Sequence, residues 1–169
     1  MHHGRFVANR PFVGLGAVLL AAALAACVRF LAEPRGRTVA GHAFVVDGDT
    51  LRIGPDRIRI EGIDAPELDQ TCRRRGRPLP CGEQARDALL AMLSGRTVTC
   101  RTSGRDRYGR FLARCEAGGE DIGARMVAEG RAVSDGDYRL LEARARFRSA
   151  GIWATAFERP QDWRRRNGF

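Results

Sequence analysis

The sequence predicts a mainly β domain with helices, in which five strands close into a small Greek-key barrel of the OB type and about three helices pack on it. Two patterns carry this expectation. Three strand-like runs are joined by tight turns within about 25 residues, and one amphipathic helix separates them from two further strands and two final helices. Length agrees with both, since 169 residues with 44% hydrophobic content suit one domain with short ends and exclude disorder throughout.

Taking the elements in order, the β pattern begins at Val39, runs through the apolar stretch Phe44 to Val46, and turns at Asp47-Gly48. Leu51, Arg52 and Ile53 alternate up to the turn Gly54-Pro55-Asp56, and Ile58 to Glu61 alternate again, with Arg59 and Glu61 on the face opposite Ile58 and Ile60. Ala85, Leu89, Met92 and Leu93 recur at helical spacing between Glu83 and Leu93, with Gly95 as the C-terminal cap. Strands are expected around Thr97 to Arg101 and Arg110 to Cys115. Helices follow from Asp121 to Glu129, closed by Gly130, and from Tyr138 to Ala150, closed by Gly151, the latter with Glu142 and Arg146 as an i,i+4 pair. The domain is thus placed at 38–157, with 158–169 as a C-terminal tail.

The N-terminus reads as an export segment over 1–28, followed by a linker at 29–37 that contains Glu33-Pro34-Arg35-Gly36-Arg37. Arg5 and Arg10 precede an apolar run from Pro11 to Val28, the charged and hydrophobic regions of a secretory signal. Leu24-Ala25-Ala26-Cys27 resembles a bacterial lipoprotein signal, in which Cys27 would be lipidated. The run is also just long enough for an uncleaved anchor, and Ala23-Leu24-Ala25 would serve as an ordinary cleavage site for free secretion. The expected location is therefore extracytoplasmic, with the membrane as a partner through this segment.

Cysteine usage points the same way. Beyond Cys27, the set Cys72, Cys81, Cys100 and Cys115 is even. Pairing neighbours, Cys72 with Cys81 and Cys100 with Cys115, closes short loops worth roughly 3 kcal/mol each. A symmetric hairpin centred near Arg107 and Tyr108 would set Cys100 opposite Cys115. The alternatives are buried free thiols or zinc, and the lack of a C-x-x-C spacing and His42 being the only histidine of the domain speak against zinc.

The formal net charge is +9, which favours a polyanionic partner. Every basic side chain is arginine, so a Schiff-base or P-loop lysine is ruled out and phosphate chemistry must run on guanidinium groups. Three acidic positions then stand out, because they fall at turns or strand ends: Asp49 in Asp47-Gly48-Asp49-Thr50, and Asp64 and Glu67 in Asp64-Ala65-Pro66-Glu67. Taken singly these segments read as a hairpin turn and as a loop or helix entrance. Together they offer oxygen ligands of the kind a hard divalent cation takes, and such sparse sites bind weakly, on the order of 10⁻⁴ to 10⁻³ M.

With Arg59 and Asp106-Arg107-Tyr108-Gly109-Arg110, these segments closely resemble the staphylococcal (micrococcal) nuclease family, in the same order, from about Val45 to Trp153. Met126-Val127-Ala128-Glu129-Gly130 and Gly151-Ile152-Trp153 extend the resemblance. It implies a Ca²⁺-dependent, thermonuclease-type phosphodiesterase on an OB fold, acting on DNA and/or RNA as a monomer and leaving 3′-phosphate ends. In that pattern Asp49 and Asp64 match the metal-binding carboxylates, Ala65 the residue that offers a backbone carbonyl, and Glu67 the carboxylate that activates water. Arg59 and Arg110 match the pair that grips the scissile phosphate, and Arg107 and Tyr108 the contacts to a neighbouring phosphate.

The residue chemistry agrees: without a usable histidine or lysine, proton abstraction falls to a carboxylate, and paired guanidinium forks suit the charge that builds on phosphate oxygens. Three departures stand out. Alanine replaces a common threonine at 65, an arginine-rich insertion with Arg73, Arg74, Arg75 and Arg77 lies between Cys72 and Cys81, and only Tyr138 stands where the family type has base-stacking tyrosines. Trp153 and Trp163 are expected to pack. The alternatives are a non-catalytic OB module that holds nucleic acid without cutting it, or a structural envelope lipoprotein.

Overall fold

The computed structural model describes residues 36–168, so the segment expected to direct export, most of the expected linker and Cys27 lie outside the described residues. The first strand breaks at His42 into β1 (Thr38–Gly41) and β2 (Ala43–Val45), and the break closes the barrel. β1 pairs antiparallel with β8 (Val98–Arg105), Val39 facing Cys100, whereas β2 pairs with β3 (Thr50–Ile53). β3 continues into β4 (Asp56–Ile60), β4 lies parallel to β9 (Phe111–Ala117), and β9 returns to β8. The order β1-β8-β9-β4-β3-β2 therefore begins and ends on one stretch of chain, and the mixed sheet curls into the expected OB-type barrel.

Alternation along the strands decides the interior. Leu51, Ile58, Ile60 and Val98 point inward and are fully buried, each worth about 1.5–3 kcal/mol. Helix α1 (Cys81–Leu93) lays Ala85, Leu89, Met92 and Leu93 on this core, as its spacing predicts. Asp121 caps α2 (Ile122–Ala128) by accepting from the Ala124 amide at 2.8 Å. α3 (Arg139–Phe147) is shorter than its sequence pattern at both ends.

Shorter pieces complete the frame. β5 (Ile63–Asp64) pairs with β11 (Val133–Ser134), and β10 (Glu120–Asp121) adds to β9. β6 (Cys72–Arg74) and β7 (Arg77–Leu79) form a hairpin whose turn, Arg75-Gly76, has φ of 52° and 80°, the primed geometry that matches strand twist. Both expected disulfides are present: Cys100–Cys115 joins directly opposed residues of β8 and β9, and Cys72–Cys81 ties the hairpin to the start of α1. A second small core gathers around the latter, with Val133, Ile152, Trp153 and Phe157; the two rings meet edge to face at 5.0 Å.

The segment 158–169, expected as a tail, carries a fourth helix, α4 (Pro160–Asn167). Proline opens it and Gly168, at φ 77°, closes it in the left-handed conformation. Sequence periodicity does not reveal it, because Trp163 is the only apolar residue between Pro160 and Gly168, in an otherwise polar run.

Candidate active site

The Asp47-Gly48-Asp49-Thr50 turn is held by its own first residue. Asp47 Oδ1 accepts from the amides of Asp49 at 3.0 Å and Thr50 at 2.7 Å, an Asx turn that leaves Asp49 free to point inward. Gly48 permits this placement, since a Cβ there would sit 2.7 Å from Ala65 Cβ and 2.8 Å from Ala85 Cβ. The turn thus lies against the next loop, and Asp49 Oδ2 accepts from the Ala65 amide at 3.2 Å.

Asp49 Oδ1 accepts from Thr50 Oγ1 and from Arg59, both at 3.0 Å. Arg59, projecting from the outer face of β4, reaches on to Asp64 Oδ1 at 2.9 Å. Burial pushes the Asp49 carboxyl up, to about 7, against the pull of the Arg59 guanidinium. Burial works to lower the pKa of Arg59 too, but the carboxylates of Asp49 and Asp64 outweigh it and the net shift is upward.

Glu67 is fixed through its backbone by Gln70, a fully buried residue. The Glu67 amide donates to Gln70 Oε1 at 3.2 Å and the Gln70 amide to the Glu67 carbonyl at 2.8 Å. The same Gln70 donates through Nε2 to the Glu158 carbonyl at 2.7 Å, at the entrance to α4. Gly82 packs against this loop, where a Cβ would lie 1.8 Å from the Glu67 carbonyl oxygen.

Arg110 closes the opposite side. Asp106 accepts from its amide at 3.0 Å and its Nε at 2.7 Å, while Arg110 Nη1 donates to Thr50 Oγ1 at 3.0 Å. Burial acts to raise the Asp106 carboxyl, yet the hydrogen bonds from Arg110 win and hold it below the usual carboxylate range. Arg107 donates to the Tyr108 hydroxyl at 2.6 Å, and Tyr108 is 63% exposed.

The sequence-singled residues therefore meet. Asp49, Arg59, Glu67, Arg107, Tyr108 and Arg110 line one cleft of about 710 Å³, with Asp64 joined to it through Arg59. Tyr138 is buried and donates to Asp121 at 3.0 Å, so it is a packing residue, not a stacking platform. Three participants were not singled out: Thr50, Asp106 and Arg164. The first two lie inside the motifs and could be found from their turn chemistry. Arg164 comes from α4 and pairs with Asp64 through Nη1 at 2.9 Å and Nη2 at 3.1 Å, and with Glu67 Oε1 at 2.6 Å.

The acceptor count leaves room for a cation. Asp49 Oδ1 and Asp64 Oδ1 each accept two hydrogen bonds, whereas Asp49 Oδ2 and Asp64 Oδ2 each accept one, so each aspartate keeps one oxygen with spare capacity. Among the described residues, no group of three or more His, Cys, Asp or Glu side chains surrounds an ion position. The donor set suits a hard cation that completes its shell with carbonyl and water oxygens, and it does not suit zinc.

Comparison with known proteins agrees with this geometry. The chain is 40% identical to the succinoglycan biosynthesis protein ExoI of Rhizobium meliloti (strain 1021) over 82% of this chain and 74% of that one. It is 33% identical to an uncharacterized endonuclease of Escherichia coli O157:H7, over 80% and 88% of the two chains. A probable staphylococcal-like nuclease of rice, Oryza sativa subsp. japonica, is 31% identical over 64% of this chain and 29% of its own length. Residues 57–155 match the family described as staphylococcal nuclease homologue, and with the barrel and the cleft in place the chain belongs to the staphylococcal nuclease family.

Proposed function

We propose that this nuclease-family protein is a Ca²⁺-dependent phosphodiesterase of the thermonuclease type that hydrolyses DNA and/or RNA as a monomer. One observation carries the reading. A continuous run of hydrogen bonds links Arg110, Thr50, Asp49, Arg59, Asp64, Arg164 and Glu67 along the cleft, interleaving acidic and basic groups. A module that only bound nucleic acid would have no use for carboxylates there, because they repel phosphate.

Asp49 and Asp64 would hold the cation through their spare oxygens, together with the Ala65 carbonyl. When bound, Ca²⁺ supplies positive charge that polarises the phosphate and its attendant water. Glu67 accepts from Arg164 through Oε1, and among the described residues no donor meets Oε2, which is left to orient a water and take its proton. Arg110 spends Nε on Asp106 and one Nη1 hydrogen on Thr50, so Nη2 remains to grip a non-bridging oxygen. Arg59 is fixed by two aspartates and offers its remaining N–H groups to the same phosphate. Arg107 and Tyr108, on the exposed turn, meet the adjacent phosphate.

The test is a cleavage assay on the purified full chain. Degradation of DNA or RNA with Ca²⁺ and none with chelator is expected; equal degradation in chelator, or none with Ca²⁺, overturns the reading. The protein is further proposed to work on the extracytoplasmic side, tethered through a lipidated Cys27 or an uncleaved anchor; the two disulfides support an oxidising location. Labelled fatty acid on the wild type, lost in Cys27→Ser, is the lipoprotein outcome. A full-length, unlabelled, membrane-bound Cys27→Ser protein is the anchor outcome.

A further inference from the structure

The matched family stretch ends at residue 155, so α4 and Arg164 lie beyond what the family pattern describes. Yet Arg164 makes more ion-pair contacts to the site than Arg110 does. Its guanidinium meets both oxygens of Asp64 and one of Glu67, and its side chain is 27% exposed. Burial tends to lower its pKa, but the hydrogen bonds it donates to Asp64 and Glu67 raise it, so the charge is permanent.

The placement is built from two directions. Gln70, which holds the Glu67 backbone, also holds the Glu158 carbonyl two residues before α4 begins. Arg73 and Ala156 exchange backbone hydrogen bonds at 2.9 and 2.8 Å, which tie the chain entering α4 to the hairpin that follows Glu67. Pro160, at the first turn, is buried. The helix is therefore docked on the Glu67 loop, and Arg164 is its reach into the site.

Charge shows what that reach does. With Asp49 ionised, as it must be to hold a cation, Asp49, Asp64 and Glu67 carry −3 and Arg59 and Arg164 carry +2, a net of −1. A divalent cation brings the group to +1, and a phosphodiester then brings it to zero. Without Arg164 the loaded site would be neutral before an anionic substrate arrived, and negative after.

We propose that Arg164 is a positioning residue for the hydrolysis: it holds the Glu67 carboxylate by one oxygen against Asp64, leaving the other for water, and supplies the charge that lets a phosphodiester join the cation. This rests on the functional reading above. Arg164 acts through Glu67 and Asp64 and need not touch the substrate. It also opposes cation binding, since it shares Asp64 with the ion, and this sets it apart from a purely structural side chain.

The experiment uses the full chain as wild type, Arg164→Gln and Arg164→Lys. Calorimetry measures Ca²⁺ affinity without substrate, and kcat and KM are measured on a short oligonucleotide at saturating Ca²⁺. Arg164→Gln should bind Ca²⁺ several-fold more tightly while kcat falls by about tenfold or more, opposite signs that a loss of packing would not produce. Arg164→Lys keeps the charge but not the fork, so it should bind Ca²⁺ as the wild type does and recover only part of kcat. If kcat is unchanged or raised in Arg164→Gln, the arginine is a plug and the assignment fails. If Ca²⁺ affinity and kcat fall together, the role is structural and the assignment fails. Should Arg164→Gln not fold, Arg164→Lys decides alone, and a kcat equal to wild type overturns the proposal. A wild type without Ca²⁺-dependent cleavage sinks the functional reading itself, whereas variants that match an active wild type sink only the role of Arg164.

Discussion

Arg59 and Arg164, on the inner wall of the cleft, are each shared between two carboxylates, whereas Arg110, on the outer wall, pairs with one carboxylate, Asp106, and with the Thr50 hydroxyl, and Arg107 leans on its neighbour Tyr108. The inner wall draws its charges from the 47–50 turn, β4, the 64–67 loop and α4. The outer wall is one turn of five residues, whose capping carboxylate lies four positions from the arginine it holds. The inner arginines have little freedom and fix acids in place. The outer ones line the cleft, and among the described residues Arg110 Nη2 meets no acceptor. The first arrangement suits a cation and a water, the second a polyanion arriving from solvent.

The sharpest way to break this division is to remove one working group from each wall. Glu67→Gln should lower turnover by roughly 10²-fold or more while nucleic-acid affinity stays nearly unchanged, measured by single-turnover cleavage and by filter binding. Equal turnover would remove the inner wall from the chemistry. Arg110→Ala should cost about 10²-fold in kcat if it stabilises charge in the transition state. A loss confined to KM would make the outer wall a binding surface only.

A smaller effect separates the walls by pH. Asp49 must be ionised to hold a cation, and burial places its metal-free pKa near 7. Below that value each unit of pH should weaken Ca²⁺ binding by about tenfold, as a proton competes for the carboxylate, and above it the affinity should level off. Calorimetry from pH 5.5 to 8.5 checks the sign; an affinity that falls as pH rises would contradict it. The smallest effect belongs to the rim. Tyr108→Ala should raise KM by about threefold with kcat intact, the scale of one exposed hydrogen bond.

What the sequence reveals follows the same division. The Asx turn at Asp47, the arginine five residues before Asp64, and the Asp106–Arg110 turn are local, and each taken singly reads as an ordinary turn or surface arginine; their common order and spacing are what carry the resemblance to the nuclease family and so expose them. The Cys100–Cys115 pair is visible for a related reason, since a hairpin equates distance from the turn with position across it. Arg164 offers no such sign. It sits in Arg164-Arg165-Arg166 within an arginine-rich chain, and nothing in that run distinguishes the residue that turns inward from the two that pair with Asp162 and Glu158 on the surface. β5 and β11 escape notice because two-residue strands have no period, although Asp64 owes its place to that pairing. The helix α4 itself was signalled only by Pro160 and Gly168, since burial of one face needs an apolar stripe that this segment lacks.

Because the ribosome delivers the chain from one end, the separations within the site are also a timetable. The Arg59–Asp49 contact spans 10 residues and Arg110–Thr50 spans 60, but Arg164–Asp64 spans 100. Every pairing of the barrel sheet lies before residue 122. A nascent chain that has cleared the exit tunnel up to that point can complete its barrel, yet Asp64 and Glu67 must wait until residue 164 has been made before their shared arginine arrives. Glu67 thus stays without its arginine after Asp49 and Asp64 have already met Arg59.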